Sequence, residues 1–553
     1  MPPPAAPQEP TVDSLREQLR ERGYLSHGIE RWFALDPWSS RAFWLELATV
    51  AAKAALLIAL FGALPIVAIL LFRNHPLSAL ETLELTAVYG AAGFAAAFVF
   101  IVLIALVLKL RPELAIDTPR ALLAISLGAA AVLSFAIGLW WVRFDSAPSL
   151  AEALCGFALV VLFFLMATIV VSAALLSFSI YELQRVPAIH QKPRAVPMTI
   201  AAAVLLALLF IPAYAGQEKT NDAEPLQVIT TPSDRRIAFV AVDGLTSELF
   251  RSRSDLTREL PNIIESLTVA GGSTTERWAT VGTGVSTRIH GVRAIEGVRM
   301  RGGRHLIQTL SRGDLVLHDF APAIGMAERQ ALPPTIRRRD YVWELFAKRG
   351  VPVVAVNWWT SEDLRAGGLT SVSQESVFAA AARGAKVPPA TTALRVDETA
   401  AHLFIAALDQ QKPRIATIYL PALDVILNRL PLDATARLAA SLRALDALTA
   451  TVMAIRARGY DVILTGLPGD RQEGAAVIAS TIPLRAPNAW PLDVAPTLCV
   501  LAGFPPSSEM SGHALTSTEP PRIASYGARG TSASNVKVNE EYYENLKSLG
   551  YIR

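Results

Sequence analysis

The sequence predicts an α-helical membrane domain of about five transmembrane helices, followed by an α/β domain with a mainly parallel sheet. Three observations lead to this prediction. The chain has 553 residues and is 52% hydrophobic, with a mean hydropathy of +0.36, which is too apolar for an ordinary soluble protein. Long uncharged apolar runs fill much of residues 48–215. From residue 236 onward the apolar runs become short and alternate with helical patterns.

The membrane domain, residues 48–215, contains apolar runs that are each near or above the ~18 residues needed to cross a bilayer. The runs carry no charged residue within their limits and are 54–72, 85–108, 121–142, 153–180 and 196–214. A signal peptide is excluded for the first run because about fifty residues precede it. Since no charge inside these runs marks an ion or proton pathway, anchoring is the expected role and a transporter is not supported.

Basic residues predict the orientation of the helices. Arginine and lysine collect in the N-terminal segment, 1–47, and in the second and fourth loops, whereas the first and third loops have only Arg73 and Arg143. Because basic loops stay in the cytoplasm, we expect a cytoplasmic N-terminus. Five crossings then place the C-terminal domain outside, in the periplasm or at the surface. The predicted location is a bacterial-type inner (plasma) membrane, with the lipid bilayer as a partner.

Residues 216–235 are polar and include two prolines, which predicts a linker to an extracytoplasmic domain, 236–553. Within that domain short apolar runs predict strands at 237–242, 352–356, 415–420, 461–465 and 475–479. Helical patterns lie between them at 341–349, 397–410 and 434–458. Alternation of this kind is typical of an α/β domain with a mainly parallel sheet.

Charge and cysteine content exclude some classes of function. The net charge is only +3, so no nucleic-acid partner is indicated. The two cysteines, Cys155 and Cys499, both lie in apolar runs. A cysteine-based metal site is therefore excluded, and a disulfide framework is not expected.

Candidate catalytic and metal-binding residues lie at the end of the first strand of the C-terminal domain and after it. Asp243 ends that strand, where a carboxylate is well placed to bind a metal. Residues 273–292 then contain a cluster of hydroxyl side chains. This order resembles the alkaline phosphatase superfamily, in particular its type I phosphodiesterase/nucleotide pyrophosphatase branch and the sulfatase-like proteins near it. The matching positions are Asp243-Gly244, Thr274 as nucleophile, Trp278, Thr283-Gly284 and His290-Gly291.

The resemblance covers most of residues 236–553. Pro261-Asn262 fits the helix that follows the first strand in the family, and residues 341–359 resemble a helix–strand unit of the family. Residues 492–512 resemble its C-terminal signature, and the final Leu546–Tyr551 resembles endings of bacterial sulfatase-like chains. The order of domains, with membrane crossings before such a domain, is similar to that of the envelope phosphoethanolamine and phosphoglycerol transferases. This similarity concerns architecture alone.

The resemblance implies a two-metal site. In the family, two divalent metals (Zn or Mg/Mn), about 4 Å apart, flank a Ser or Thr nucleophile and the leaving oxygen. One metal takes the first-strand aspartate, the nucleophile and a later Asp-His pair, and the other takes an Asp, a His four residues on and a more distant His. Asp243, Thr274 and Asp424 occupy the first-strand, nucleophile and second aspartate positions, with Thr275 as the alternative nucleophile.

Several expected ligands are replaced in this chain. Asn428 stands four residues after Asp424, where the family has histidine. Leu467-Pro468 stand where the Asp-His pair is expected, and neither residue can bind a metal or carry a proton. We expect zinc to bind poorly without imidazoles. Weak binding of Mg²⁺ or Ca²⁺ by the remaining oxygen ligands stays open.

The sequence leaves two functional hypotheses. The preferred one is a catalytically degenerate phosphodiesterase-like domain outside the membrane, which acts as a binding or regulatory partner in the cell envelope. Its partner would be an envelope lipid, a glycan or a protein. The alternative is an active, metal-dependent phosphoric or sulfuric ester hydrolase, or a phosphoethanolamine/phosphoglycerol-type transferase, with Thr274 as nucleophile. The alternative requires replacement ligands near Asp243 and Asp424.

Overall fold

A computed structural model describes most of the chain. The described residues are 18, 21, 41–73, 79–110, 119–144, 150–178, 230, 233–266, 272–303, 305–308, 314–383, 387–469, 472–484, 489–530 and 540–552. They form two compact units. A helical unit contains the N-terminal part together with Met300–Ile307 and Arg312–Ala327, and an α/β unit contains the other described residues from Ser233 on.

Among the described residues, the helical unit contains four long apolar helices. They are α1 (Arg41–Arg73), α2 (Ala79–Leu110), α3 (Pro119–Phe144) and α4 (Leu150–Phe178). Each contains a stretch long and apolar enough to cross a membrane, with mean hydropathies from 2.0 to 2.9. The first four predicted crossings are therefore confirmed as helices of spanning length. The fifth, 196–214, lies outside the described residues. α2 begins earlier than its predicted run and includes Glu81 and Glu84.

In the part of the chain that the structure describes, the α/β unit is built on an eight-stranded sheet, and a second sheet has three strands. The strands are β1 (Ile237–Asp243), β2 (Asn262–Ser266), β3 (Glu296–Met300), β4 (Leu306–Gln308), β5 (Ala327–Ala331), β6 (Val353–Trp358), β7 (Leu364–Ala366), β8 (Leu369–Ser373), β9 (Ile415–Leu420), β10 (Asp461–Leu467) and β11 (Ala476–Ser480). The order of the large sheet is β2-β11-β10-β1-β9-β6-β8-β7, and that of the small sheet is β4-β3-β5.

The five central strands of the large sheet, from β10 to β8, are parallel. Its outer strands, β11, β2 and β7, pair antiparallel. β1 lies in the middle and all seven of its residues are buried, as expected for a parallel strand covered on both faces. The predicted fold class, a helical membrane domain followed by an α/β domain with a mainly parallel sheet, is confirmed.

Further helices complete the elements of the described residues. They are α5 (Ser247–Arg251), α6 (Ser254–Glu259), α7 (Thr274–Thr283), α8 (Thr287–His290), α9 (Ala321–Ala323), α10 (Val342–Ala347), α11 (Gln374–Ala381), α12 (Pro389–Gln411), α13 (Ala422–Asp424), α14 (Ala434–Arg456), α15 (Val494–Ala502) and α16 (Glu540–Ser548). Single turns of π-helix occupy Val316–Phe320 and Val425–Arg429, and 3-10 turns occupy Pro334–Ile336 and Pro491–Asp493.

Two elements need comment. α14 is the fifth helix among the described residues that is long and apolar enough to span a membrane. Its buried side chains, which include Leu445, Leu448 and Val452, belong to the core around the sheet. The expectation of a helix at Pro261-Asn262 was wrong, because Asn262–Ser266 form β2 instead. They pair with β11, which gives that strand a second neighbour.

Candidate functional site

The sequence-predicted residues meet at the carboxyl end of the central strands. Asp243 is the last residue of β1 and is fully buried. In the strand register it stands beside Leu467 of β10. Gly244 follows with φ of 83°, and a Cβ there would lie 2.5 Å from the backbone nitrogen of Asp424. Only glycine allows this close approach, which brings the two aspartate positions to one edge of the sheet.

Thr274 lies at the start of α7. Ser273 caps the helix by accepting a hydrogen bond from the backbone N–H of Glu276 at 3.2 Å, which makes Thr274 the first helical residue. The Thr274 side chain is buried. Its Oγ1 accepts hydrogen bonds from Arg429 Nη2 at 2.6 Å and from Arg277 Nη2 at 3.5 Å. The nucleophile position is therefore contacted by two guanidinium groups.

Arg429 links the hydroxyl to the second aspartate. Its Nε donates to Asp424 Oδ2 at 2.5 Å, while its Nη2 holds Thr274. The Arg429 side chain is 9% exposed and that of Asp424 is 0% exposed. The guanidinium carbon also lies 4.2 Å from the ring centre of Tyr551, in cation–π geometry. A buried cation of the protein thus lies between the carboxylate and the hydroxyl.

The π-helical turn after α13 explains how two neighbouring side chains reach one carboxylate. Asn428 Nδ2 donates to Asp424 Oδ1 at 2.8 Å, and Arg429 binds the other oxygen. The i→i+5 bond from the Leu430 N–H to the Val425 carbonyl widens the turn. Residues four and five positions after Asp424 then both face it. The amide at position 428 acts here as a donor to the carboxylate, whereas a metal ligand would present its oxygen.

The loop after β10 closes over the same carboxylate. Leu467 is buried, and the carbonyl of Pro468 accepts a hydrogen bond from Arg277 Nη1 at 2.7 Å. A Cβ on Gly469 would lie 2.0 Å from Asp424 Oδ1 and 2.1 Å from Asn428 Nδ2. This loop contributes a backbone carbonyl and close backbone packing to the site, in place of the Asp-His side chains expected from the resemblance.

Asp243 has a tyrosine neighbour on the adjacent strand β9. The hydroxyl of Tyr419 donates to Asp243 Oδ2 at 3.2 Å. Burial, followed by the charge of Asp243, raises the pKa of Tyr419 well above its ordinary value. Burial likewise raises the pKa of Tyr551 well above its ordinary value. Both phenols therefore stay protonated, so Tyr419 remains a hydrogen-bond donor to the carboxylate.

His290 and Trp278 form part of the packing around the site. His290 is fully buried. Its Nε2 is 2.9 Å from Thr280 Oγ1, and its Nδ1 accepts from the Val292 N–H at 3.1 Å. Burial, with the nearby arginine charges, lowers its pKa to about 3, so the ring is neutral. Trp278 is buried with its ring centre 5.5 Å from that of Tyr419, edge to face.

The described side chains do not fit a pair of divalent metals. Within the ranges that the structure describes, no group of three or more His, Cys, Asp or Glu could hold a metal ion. Asp424 already uses both carboxylate oxygens for Asn428 and Arg429. A guanidinium on the same carboxylate would also repel a divalent cation. No sequence motif selects Arg277 or Arg429, although Arg429 immediately follows the substituted position Asn428.

Comparisons with known proteins identify solved structures only; no family model matches the chain and no curated protein matches it. A phosphonoacetate hydrolase from Sinorhizobium meliloti is 13% identical to this chain, with a TM-score of 0.30. The match covers 44% of this chain and 59% of the hydrolase chain. A Bacteroides thetaiotaomicron protein described as a sulfatase is 12% identical, with a TM-score of 0.34 and coverages of 51% and 74%. The lipoteichoic acid synthase LtaP from Listeria monocytogenes is 9% identical, with a TM-score of 0.29 and coverages of 58% and 93%.

Proposed function

We propose that this chain is a membrane-anchored protein whose alkaline-phosphatase-like domain, residues 236–553, is non-catalytic and acts as a binding or regulatory partner in the cell envelope. The contact of Arg429 with Asp424 and Thr274 carries the proposal. According to this proposal, the guanidinium of Arg429 stands where a metal ion would be expected. The positive-inside pattern of the loops supports a cytoplasmic segment, 1–47, a linker, 216–235, and an extracytoplasmic C-terminal domain.

The hydroxyl of Thr274 lacks what a nucleophile needs. A threonine hydroxyl is a weak nucleophile unless a base or a metal removes its proton. Among the described residues, its oxygen accepts hydrogen bonds from the guanidinium groups of Arg277 and Arg429. Arginine stays protonated in proteins and offers no acceptor. These partners hold the oxygen in place and cannot receive its proton.

The charge balance of the site supports a structural role for Asp424. A fully buried carboxylate is costly unless it is paired and hydrogen-bonded. Arg429 supplies the opposite charge and Asn428 supplies a further donor. The carboxylate is satisfied without a metal, so its presence in the sequence does not require metal-dependent chemistry.

The proposal is tested on the full chain, purified in mild detergent. Metal content is measured by plasma mass spectrometry after incubation with Zn²⁺, Mn²⁺ or Mg²⁺ and desalting. Hydrolysis of bis(p-nitrophenyl) phosphate and p-nitrophenyl sulfate is measured with the same ions. We expect substoichiometric metal and no turnover above that of a Thr274→Ala variant. A matched Thr274→Ser variant keeps the hydroxyl and controls for packing.

A metal-dependent turnover that Thr274→Ala abolishes and Thr274→Ser retains would refute the proposal. It would favour the active hydrolase or transferase instead. Stoichiometric metal without turnover would also contradict it, because the replacement of the metal by Arg429 would then be wrong.

A further inference from the structure

A segment between β4 and β5, residues 314–326, belongs to the compact helical unit. This was not expected, because the segment lies within the sequence of the α/β domain. It consists of the π-helical turn Val316–Phe320 followed directly by α9, Ala321–Ala323. Its backbone closes on itself through a hydrogen bond from the Met326 N–H to the Ala321 carbonyl at 2.9 Å.

Two polar contacts join α2 to the residues around β4: one to His305, just before β4, and one to Asp314, at the start of the segment. Glu81 is 1% exposed; it accepts the backbone N–H of His305 at 2.7 Å and lies 2.7 Å from His305 Nδ1. The carboxylate of Asp314 accepts the hydroxyl of Tyr89. Eight residues separate Glu81 from Tyr89, which is about 12 Å along an α-helix at ~1.5 Å per residue. The second contact therefore lies about two helical turns after the first, nine residues after Leu80, where the apolar span begins.

The level of the second contact is marked by aromatic side chains. Trp140, four residues before the end of α3, packs edge-on against Tyr89 with ring centres 6.3 Å apart. Tryptophan and tyrosine collect at the boundary between lipid and water. The polar groups of Asp314 and Tyr89 are paired with each other, as groups in a weakly hydrated environment must be.

The outer surface of the segment is apolar. Its exposed apolar side chains are Leu315 (76%), Phe320 (45%), Ile324 (49%) and Met326 (37%). The one exposed charged side chain, Asp319, is hydrogen-bonded to His318 Nδ1 at 2.9 Å. Near the start of α2, Leu80 (56%) and Leu83 (65%) are exposed apolar side chains as well. Exposed large apolar groups this close together mark a surface that another apolar phase covers.

We propose that residues 314–326 form an interfacial segment immersed in the phospholipid bilayer, on the side of the membrane where α2 begins. The large exposed side chains of this segment are apolar, and its buried carboxylate, Asp314, accepts the hydroxyl of Tyr89 on the membrane helix α2. Interfacial helices bury their apolar side by about 5–10 Å into the boundary between headgroups and acyl chains. The proposal holds for either orientation of the chain in the membrane and is independent of catalysis.

The test uses the full chain in lipid nanodiscs of POPC and POPG, in which both faces of the bilayer are open to solvent. Phe320→Cys and Ile324→Cys are each made with Cys155→Ala and labelled with the fluorophore NBD. Both positions are already exposed, so cysteine disturbs little packing. Cys499 is buried, and burial raises the pKa of its thiol, so it stays unlabelled. Gln410→Cys, at the exposed end of α12, is the matched control.

Quenching of each probe is compared between doxyl-labelled lipid and aqueous iodide. We expect several-fold stronger quenching by doxyl lipid at positions 320 and 324 than at 410, and the reverse order for iodide. Iodide quenching at 320 and 324 equal to that at 410 would overturn the proposal. Shielding of both positions from both quenchers would overturn it too, because protein would then cover the surface.

Discussion

Removal of the Arg429 guanidinium tests the proposal that this side chain, instead of a metal ion, neutralises Asp424. In an Arg429→Met variant the carboxylate of Asp424, which is 0% exposed, loses its buried cation. Deleting one partner of a buried ion pair costs about 3–5 kcal/mol, because the other charge is left uncompensated. For a domain of this size we expect the melting temperature to fall by roughly 5–10 °C.

Thermal unfolding of the full chain in detergent, followed by tryptophan fluorescence, measures this change. The matched control is the double variant Arg429→Met with Asp424→Asn, which removes the buried charge as well. We expect it to recover more than half of the loss. A melting temperature for Arg429→Met within about 2 °C of the wild-type protein would refute the reasoning, since that is less than ~1 kcal/mol. A double variant no more stable than Arg429→Met would refute it equally.

Three further predictions concern neighbouring residues. Gly469→Ala places a methyl group 2.0 Å from Asp424 Oδ1, and we expect it to lower the unfolding free energy by about 1–3 kcal/mol. The control is Gly530→Ala, where an added methyl group meets no atom within 4 Å. Tyr551→Ala removes the ring over Arg429 and should cost about 3–5 kcal/mol, whereas Tyr551→Phe should cost little. Burial lowers the pKa of His290 to about 3, so we expect the stability of the protein to fall as the pH drops below ~6.5. The His290→Asn variant should show a flatter curve of melting temperature against pH.

The direction of the His290 effect follows from proton binding. In the unfolded chain an imidazole takes up a proton near pH 6.5, whereas the buried ring does so only near pH 3. Between these values the unfolded state binds more protons, so stability rises with pH. The contribution is fully present above pH ~6.5 and declines as the pH falls toward 3. Equal slopes for the wild-type protein and the His290→Asn variant over this range would contradict the assignment.

Much of the fold could be predicted because each element carries a local signal. The uncharged runs of the membrane helices exceed the length of a bilayer crossing, and the strands β1, β6, β9 and β10 are short apolar runs buried on both faces. β2 could not be predicted in this way. Its residues, Asn262–Ser266, are partly exposed, and only pairing with β11, over two hundred residues later, makes them a strand.

The candidate site was predictable only for residues that match a motif. Asp243, Thr274 and Asp424 could be selected because a known pattern names their positions. The side chains that contact them could not, because no pattern associates an arginine at 277 or 429 with that place in the fold. The assignment of residues 314–326 to the helical unit had no local signal either. The contact that joins it to α2 comes from Tyr89, more than two hundred residues earlier, whose hydroxyl donates to Asp314.

An aspartate at the position of a metal ligand, such as Asp424, can be explained in two ways. A carboxylate at the end of a buried strand region needs a positive partner whether or not the site is catalytic. A metal ion supplies that charge and also activates a hydroxyl. A guanidinium supplies the charge, holds the hydroxyl by donating to it and cannot take its proton. If the proposed non-catalytic role is right, Asp424 serves the electrostatics of the fold through its ion pair with Arg429, and its presence alone does not predict metal-dependent chemistry.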